Sequence, residues 1–354
     1  MIKDPAYRDK VREQIRQFEA VEDSSAQLSD AFRYWQNAYF FPRLSDVCGV
    51  GDHIAFYERA VAQAIRSSQN RNIVSFGSGD AQIEVAIAAS LMRGGVSDFL
   101  FHCVEISPIQ IERAKKNADK AGLGERFVFT EADINTWTPT GQRFAAAMAH
   151  HALHHVVALE HLAEAVKDGL APEGVFVCFD LIGRNGHMRW PEALAIIERI
   201  WRFLPPEKKR HHILQTVDEE YQNRDCSTQG FEGIRSQDIL PVLMNHFGFE
   251  TFFAFGNLID VFTSGGYGAN FDVADGRDKA FIDFIQYLND LLIDLGHIKP
   301  TRMAAVMVPH SCDAIKTYKN WTPAFCARRA ASSCDADAAT APDAPAAGSF
   351  ATQP

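Results

Sequence analysis

The sequence predicts an α/β protein organised on a mostly parallel sheet, and three observations carry that prediction. Apolar runs of strand length recur at residues 72–76, 99–105, 127–134, 144–149 and 175–182, and stretches with helical spacing separate them. The first run closes on Gly77-Ser78-Gly79, after which Ile83, Val85, Ala86 and Ile87 restart with helical character. The second and third runs end on carboxylates, Glu105 and Asp133.

Taken in order, the first run is a strand, a tight turn and a helix opening, the arrangement that presents backbone to a nucleotide-like ligand. Gly77 and Gly79 let the main chain approach a ribose or a carboxylate, because a Cβ would fill that space. A helix starting near Asp80 adds free N–H groups and a positive dipole end. Glu105, closing the second strand, suits two ribose hydroxyls, since an ionised carboxylate accepts both protons. Asp133 is placed to take an adenine amino group, with Ile134 as an apolar face for the ring. The fourth strand, 144–149, is made of small residues and leads into His150-His151-Ala152-Leu153-His154-His155. Helices are expected over 109–120 and 159–168, and the loop Ala171-Pro172-Glu173-Gly174 precedes the fifth strand.

From about residue 72 to 182 the chain resembles the class I S-adenosylmethionine (SAM)-dependent methyltransferases, small-molecule type. The motifs that carry the resemblance are the glycine turn, the ribose carboxylate, Asp133-Ile134 and the loop 149–156, which is similar to an Asn-Gln-x-Leu-His-His pattern with His150 and His151 in the first two places. Two positions depart from the family: Ser75 stands where an acidic residue usually precedes the first glycine by two, and Ala81 replaces the third glycine. The resemblance implies a Rossmann-like, seven-stranded, mostly parallel sheet with an antiparallel last strand. It implies SAM as cofactor, held by Ser75, Gly77, Gly79, Glu105, Ile106, Asp133, Ile134 and His150. A dehydrogenase using NAD is disfavoured, because the later motifs match as well as the glycine turn does.

Composition sets the outer bounds. Apolar residues make up 47% and charged residues 23% of 354 positions, an ordinary globular balance. The net charge of −10, with no basic run longer than Lys208-Lys209-Arg210, argues against a nucleic-acid partner. Seven scattered cysteines without a Cys-x-x-Cys pair suggest reduced thiols, and no run approaches a membrane span, so the expected setting is cytoplasmic, with no membrane partner and a possible homodimer.

Three regions are expected: a helical lid over 1–70, a SAM-binding domain over 71–326 with insertions near 190–235 and 263–300, and a disordered tail over 327–354, rich in Ala, Pro, Ser and Asp. Helical spacing joins Val11, Ile15, Phe18 and Val21, and again Ile54, Tyr57, Ala60, Val61 and Ile65. The aromatic stretch 32–43 between them reads either as core filler or as a lid over the acceptor, with Tyr34 and Tyr39 as substrate contacts. Beyond Trp190 the sequence predicts a helix ending near Phe203, Ser236 as the N-cap of a helix over 237–246, a strand over 249–262, a helix over 277–295 and a strand over 301–308.

Methyl transfer is an in-line displacement that needs a positioned nucleophile and a proton acceptor. His151, directly after the fourth strand, is the candidate base, and Asp180 either orients a histidine or binds an acceptor cation. Arg184, Asn185 and His187 follow the fifth strand and are the candidate substrate-binding residues. His150/His154 and His151/His155 have i, i+4 spacing, but a metal needs a third ligand that the sequence does not display, so no metal is assigned. The leading reading is methyl transfer to an O or N atom of a polar small molecule in secondary metabolism. The alternatives are a protein or RNA methyltransferase and a non-catalytic SAM-binding protein.

Overall fold

The computed structural model describes residues 5–19, 28–228 and 230–328. Its centre is one sheet in which β1 (Asn72–Phe76), β2 (Leu100–Glu105), β3 (Phe127–Glu131), β4 (Phe144–His150) and β5 (Leu170–Leu181) all run parallel. Their order reverses between β1 and β4: the chain steps outward from β1 through β2 to β3, then returns to place β4 on the other side of β1. A crevice opens at the carboxyl ends of strands where the order reverses, and that is where ligands bind in open α/β sheets.

Helices cover both faces, as a parallel sheet requires. They are α4 (His53–Ser67), α5 (Gln82–Arg93), α6 (Pro108–Lys120) and α7 (Leu159–Gly169). β4 is central and fully covered, and its Ala145, Ala146, Ala147 and Ala149 let α4 come close enough for Tyr57 to donate its hydroxyl to Ala149 O at 2.9 Å.

After β5 come α8 (Pro191–Phe203), a small hairpin of β6 (Arg210–His211) and β7 (Thr216–Val217), and α9 (Ser236–His246). β8 (Gly248–Phe255) and β9 (Arg302–Val308) then join the sheet, with β9 antiparallel to both β5 and β8. The expected antiparallel strand is therefore β9, and β8 keeps the direction of β5. An eighth strand, the two-residue β10 (Lys316–Thr317), adds to the free edge of β8, so the sheet has eight strands where seven were expected.

Three boundaries differ from the sequence expectation. The apolar run 249–262 is not one strand: β8 stops at Phe255, Gly256 takes φ +76, and α10 (Leu258–Thr263) follows, every residue of it buried. A short, fully apolar run has the same appearance in a buried strand and a buried helix. Strand β5 starts at Leu170, so the expected loop 171–174 belongs to it. Ser236 is the first residue of α9, not its cap, and its hydroxyl is buried.

The N-terminal segment is helical where it is described: α1 (Pro5–Glu19), α2 (Asp30–Trp35), a π turn, and α3 (Phe41–Cys48). Trp35 and Phe40 of the aromatic stretch are buried against Phe255, and Phe40 also meets Phe179 and Phe253. Trp35 Nε1 donates to Gln286 on α11 (Gly276–Asp294) at 2.5 Å. Of the two readings of this stretch, these two rings have the core role. Val21 and the tail from 329 onward lie outside the described residues.

Candidate active site

Two cavities meet where β1, β4 and β5 end. The first is floored by Gly77, Gly79, Glu105, Ile106, Asp133 and Ile134 and roofed by Tyr7, Val11, Gln14 and Ile15 of α1, with Phe231 beside them. Gly77 (φ +63) lies so near the loop after β4 that an added Cβ would stand 2.9 Å from Ala152 Cβ. Gly79 (φ +53) differs: a Cβ there would meet nothing within 4 Å, so its backbone faces open space. The Glu105 carboxylate is held by three backbone donors, Gly79 N to Oε2 and Ile106 N and Ser107 N to Oε1, each at 2.9 Å. A carboxylate has about four acceptor positions, so Oε2 keeps one. Asp133 Oδ1 accepts from the Asn135 backbone, while Oδ2 accepts the Tyr7 hydroxyl at 2.6 Å.

Ser75 and His150 are not among the residues lining this cavity. The Ser75 hydroxyl, fully buried, donates to Glu84 Oε1 on α5 at 2.6 Å. A carboxylate thus meets the strand position where the family's acid is missing, but from the helix behind. Burial raises the Glu84 carboxyl to about 7, partly offset by the Ser75 hydrogen bond. The His150 ring packs among His53, Tyr57 and Phe179, and burial with His53 beside it pushes its pKa down to about 3.

The second cavity, of about 440 Å³, lies under the end of β5 and is lined by His151, His154, His155, Arg184, His187 and Arg189, with Glu232, Asp260 and Arg302 facing them. His151 and His155 line both cavities. His151 has φ +50, a conformation that a non-glycine residue holds only when its surroundings fix it, and its backbone N–H donates to Phe179 O at 2.8 Å. Burial and the neighbouring His150 keep its imidazole far below the ordinary histidine range, hence neutral.

Asp180 is fully buried behind this wall and is absent from the lining of both cavities. It accepts from Ala152 N (2.9 Å) and Leu153 N (2.8 Å) through Oδ2, and holds His154 Nδ1 at 2.6 Å through Oδ1. The histidine that Asp180 holds is His154, not the expected base His151. Burial alone would lower the His154 pKa, but Asp180 and Glu232 outweigh it and bring it to about 9.

The expected substrate residues divide. Arg184 and His187 line the second cavity, the former with its guanidinium over Trp190. Asn185 turns away and caps α9, its Oδ1 accepting Gln237 N at 3.1 Å. Tyr34 and Tyr39 line neither cavity, and both hydroxyls donate to Asp283 on α11, at 2.6 and 2.7 Å. The segment over the first cavity is α1, whose Val11 and Ile15 the sequence marked only as part of a helical stripe and whose Tyr7 it did not single out. Glu232, Arg302 and Asp260 were not singled out in the sequence, and His154 and His155 were weighed only in the i, i+4 metal pairs, because the contacts that give them roles join distant parts of the chain.

Residues 73–174 match a family model described as a methyltransferase domain. No curated protein matches the chain. Among solved structures, likenesses extend to StiE O-MT residues 961–1257 (12% identity, 82% of this chain and 84% of that one, TM-score 0.41). They also include a SAM-dependent methyltransferase from Geobacter sulfurreducens in complex with S-adenosyl-L-homocysteine (12%, 72% and 90%, TM-score 0.38). A third is the plantazolicin methyltransferase BpumL in complex with SAH (12%, 86% and 99%, TM-score 0.39). The matched stretch 73–174 runs from β1 to the start of β5, across the point where the strand order reverses, so the likeness to a methyltransferase domain falls on the half of the sheet that floors the first cavity.

Proposed function

We propose that the chain is an enzyme that transfers a methyl group from SAM to an oxygen or nitrogen atom of a polar small molecule, within secondary metabolism. One observation supports this reading above the others: His151 and His155 form a wall common to the two cavities, so a neutral imidazole stands between a nucleoside-shaped cleft and a polar chamber.

The residues of the first cavity fit a SAM molecule. Gly79 offers backbone at an open face, Glu105 keeps an acceptor position for a ribose hydroxyl, Ile106 and Ile134 give apolar surface, and Asp133 offers an acceptor at the adenine end. When bound, SAM supplies a methyl group on a positively charged sulfur, ready for displacement. The chain's own residues do the remainder. His151, held neutral, accepts the proton released by the acceptor's hydroxyl or ammonium at a ring nitrogen. Asp180 fixes the loop 152–154 behind it, and α1 closes the first cavity against water.

The second cavity supports a small acceptor that bears negative charge or several oxygens. Its volume lies within the range of about 300–1,000 Å³ usual for small-molecule sites. Arg184, Arg189 and Arg302 face it against Asp260; Arg302 Nε lies 3.4 Å from Asp260 Oδ1, while Arg189 Nε is buried without a hydrogen-bond partner among the described residues. Donors left unmet in a buried site suit a ligand's acceptors.

The test is a methyl-transfer screen of hydroxy- and amino-acid-like acceptors with the wild-type chain and His151→Ala. The reading expects turnover on a carboxylate-bearing small molecule and a fall of about 10²–10⁴-fold in kcat for the variant, with cofactor affinity kept. Transfer to protein or RNA alone would refute it, as would unchanged turnover in His151→Ala for the role of that residue.

A further inference from the structure

Three turns converge on the wall of the second cavity. His154 and His155 end the short helical turn Leu153–His155, His187 ends the turn Asn185–His187, and Glu232 lies in the turn before α9. Backbone hydrogen bonds lock them together: Ile234 N donates to His154 O at 3.1 Å, and Gly186 N donates to Gly233 O at 2.9 Å. Gly233 permits this approach, since a Cβ there would sit 3.0 Å from His187 Cε1 and 3.1 Å from Gly186 N.

The side chains that meet are those of a metal centre. Glu232 Oε1 is 3.5 Å from His154 Nε2, and Glu232 Oε2 is 3.6 Å from His155 Nε2. One ligand atom from each of the three residues can be chosen so that all lie within 4.8 Å of one another. A tetrahedral zinc ion with bonds of about 2.0–2.2 Å holds its ligand atoms roughly 3.3–3.5 Å apart. The two measured contacts, each to a different Glu232 oxygen, lie near that spacing, and bringing one oxygen and both imidazoles onto one ion needs side-chain movement of about 1 Å within the 4.8 Å spread. The surrounding bonds are those that orient ligands. Asp180 fixes His154 through Nδ1, which leaves Nε2 directed at Glu232, and His187 Nε2 holds Glu232 Oε1 at 2.6 Å. His154 is nearly buried, while Glu232 is the accessible member, so the open side of the trio is the cavity.

We infer that His154, His155 and Glu232 form a binding site for a divalent transition-metal ion of the zinc class, with Asp180 and His187 as positioning residues and an open coordination position facing the second cavity. Two imidazoles and a carboxylate, with no thiolate, make a ligand set of the kind used in catalytic zinc sites, where the free position takes water or substrate. Occupied, that position would bind an oxygen of the acceptor. This last role rests on the methyl-transfer reading, whereas the metal site itself does not.

The test uses the full chain, stripped with chelator and titrated with Zn²⁺ by calorimetry and with Co²⁺ by visible absorption, for wild type, His155→Ala and Glu232→Gln. The expected result is one equivalent of Zn²⁺ bound, a Co²⁺ spectrum of a four- or five-coordinate site, and affinity lowered at least about tenfold in each variant, as loss of a ligand demands. Glu232 is partly exposed and glutamine keeps its shape, so Glu232→Gln preserves the fold, which circular dichroism verifies. No stoichiometric binding in the wild type, or binding of equal strength in both variants, would overturn the site and leave a proton on His154 bridging two carboxylates. S-adenosylhomocysteine titrated in parallel separates the two readings: metal without nucleoside binding removes the methyl-transfer role alone, and nucleoside without metal binding removes the metal site alone.

Discussion

Asp180 joins the loop after β4 to the end of β5 through two backbone N–H groups and one imidazole, all inside the protein. Removing that carboxylate leaves three buried donors without an acceptor, at a cost of about 1–3 kcal/mol each. Asp180→Ala should therefore lower unfolding stability in urea by that order, and a loss under about 1 kcal/mol would show that the network is solvent-relaxed. Glu84 sets a pH dependence of opposite kind. Its folded pKa, about 7, lies above the ordinary value of 4.5 because burial disfavours the charged form. A raised pKa means that the folded state binds more protons, so the contribution of Glu84 to stability is fully present below pH 4.5, is lost as pH rises and levels off above about 7. The shift corresponds to about 3 kcal/mol. Glu84→Gln should flatten the profile between those limits and stabilise the protein at pH 8. A profile of unchanged slope would show that Glu84 is not the group responsible.

At the scale of elements, α1 lies over the first cavity, within the segment where the sequence expected a helical lid. It is tied to the floor of the first cavity by Tyr7 to Asp133, a hydrogen bond to a charged acceptor worth roughly 1.5–3 kcal/mol. Tyr7→Phe should loosen this roof and raise the dissociation rate of S-adenosylhomocysteine by about tenfold or more in stopped-flow fluorescence. An unchanged rate would make α1 a passive flank. The same scale shows what the sequence could reveal. β1 to β4 were legible because each apolar run ends on a residue with a chemical reason to be there, Gly77, Glu105, Asp133 and His150. The succession of β8 and α10 was not, since the largely apolar run 249–262 shows no clear period, and Gly256-Asn257 marks the break between the two elements. Tyr34 and Tyr39 drew attention by being aromatic and polar, but their partner Asp283 lies more than two hundred residues away. Glu232 escaped for the same reason: the third ligand that the histidine loop lacked comes from a distant turn.

Across the whole molecule, the sheet reversal at β1 and β4 puts a nucleoside-shaped cleft on one side of His151 and a polar chamber on the other. Although the net charge is −10, the lining of that chamber holds three arginines against Glu232 and Asp260, so its local balance is basic inside an acidic protein. No helix among the described residues is long and apolar enough to cross a membrane. The central claim is that the first cavity binds SAM through Glu105. Calorimetric titration with SAM, S-adenosylhomocysteine and NAD, on wild type and Glu105→Ala, tests it most directly. The account predicts binding of the first two, no comparable binding of NAD, and loss of at least about tenfold in affinity in the variant, for a charged hydrogen bond removed. Preferential NAD binding, or SAM binding indifferent to Glu105→Ala, would contradict it.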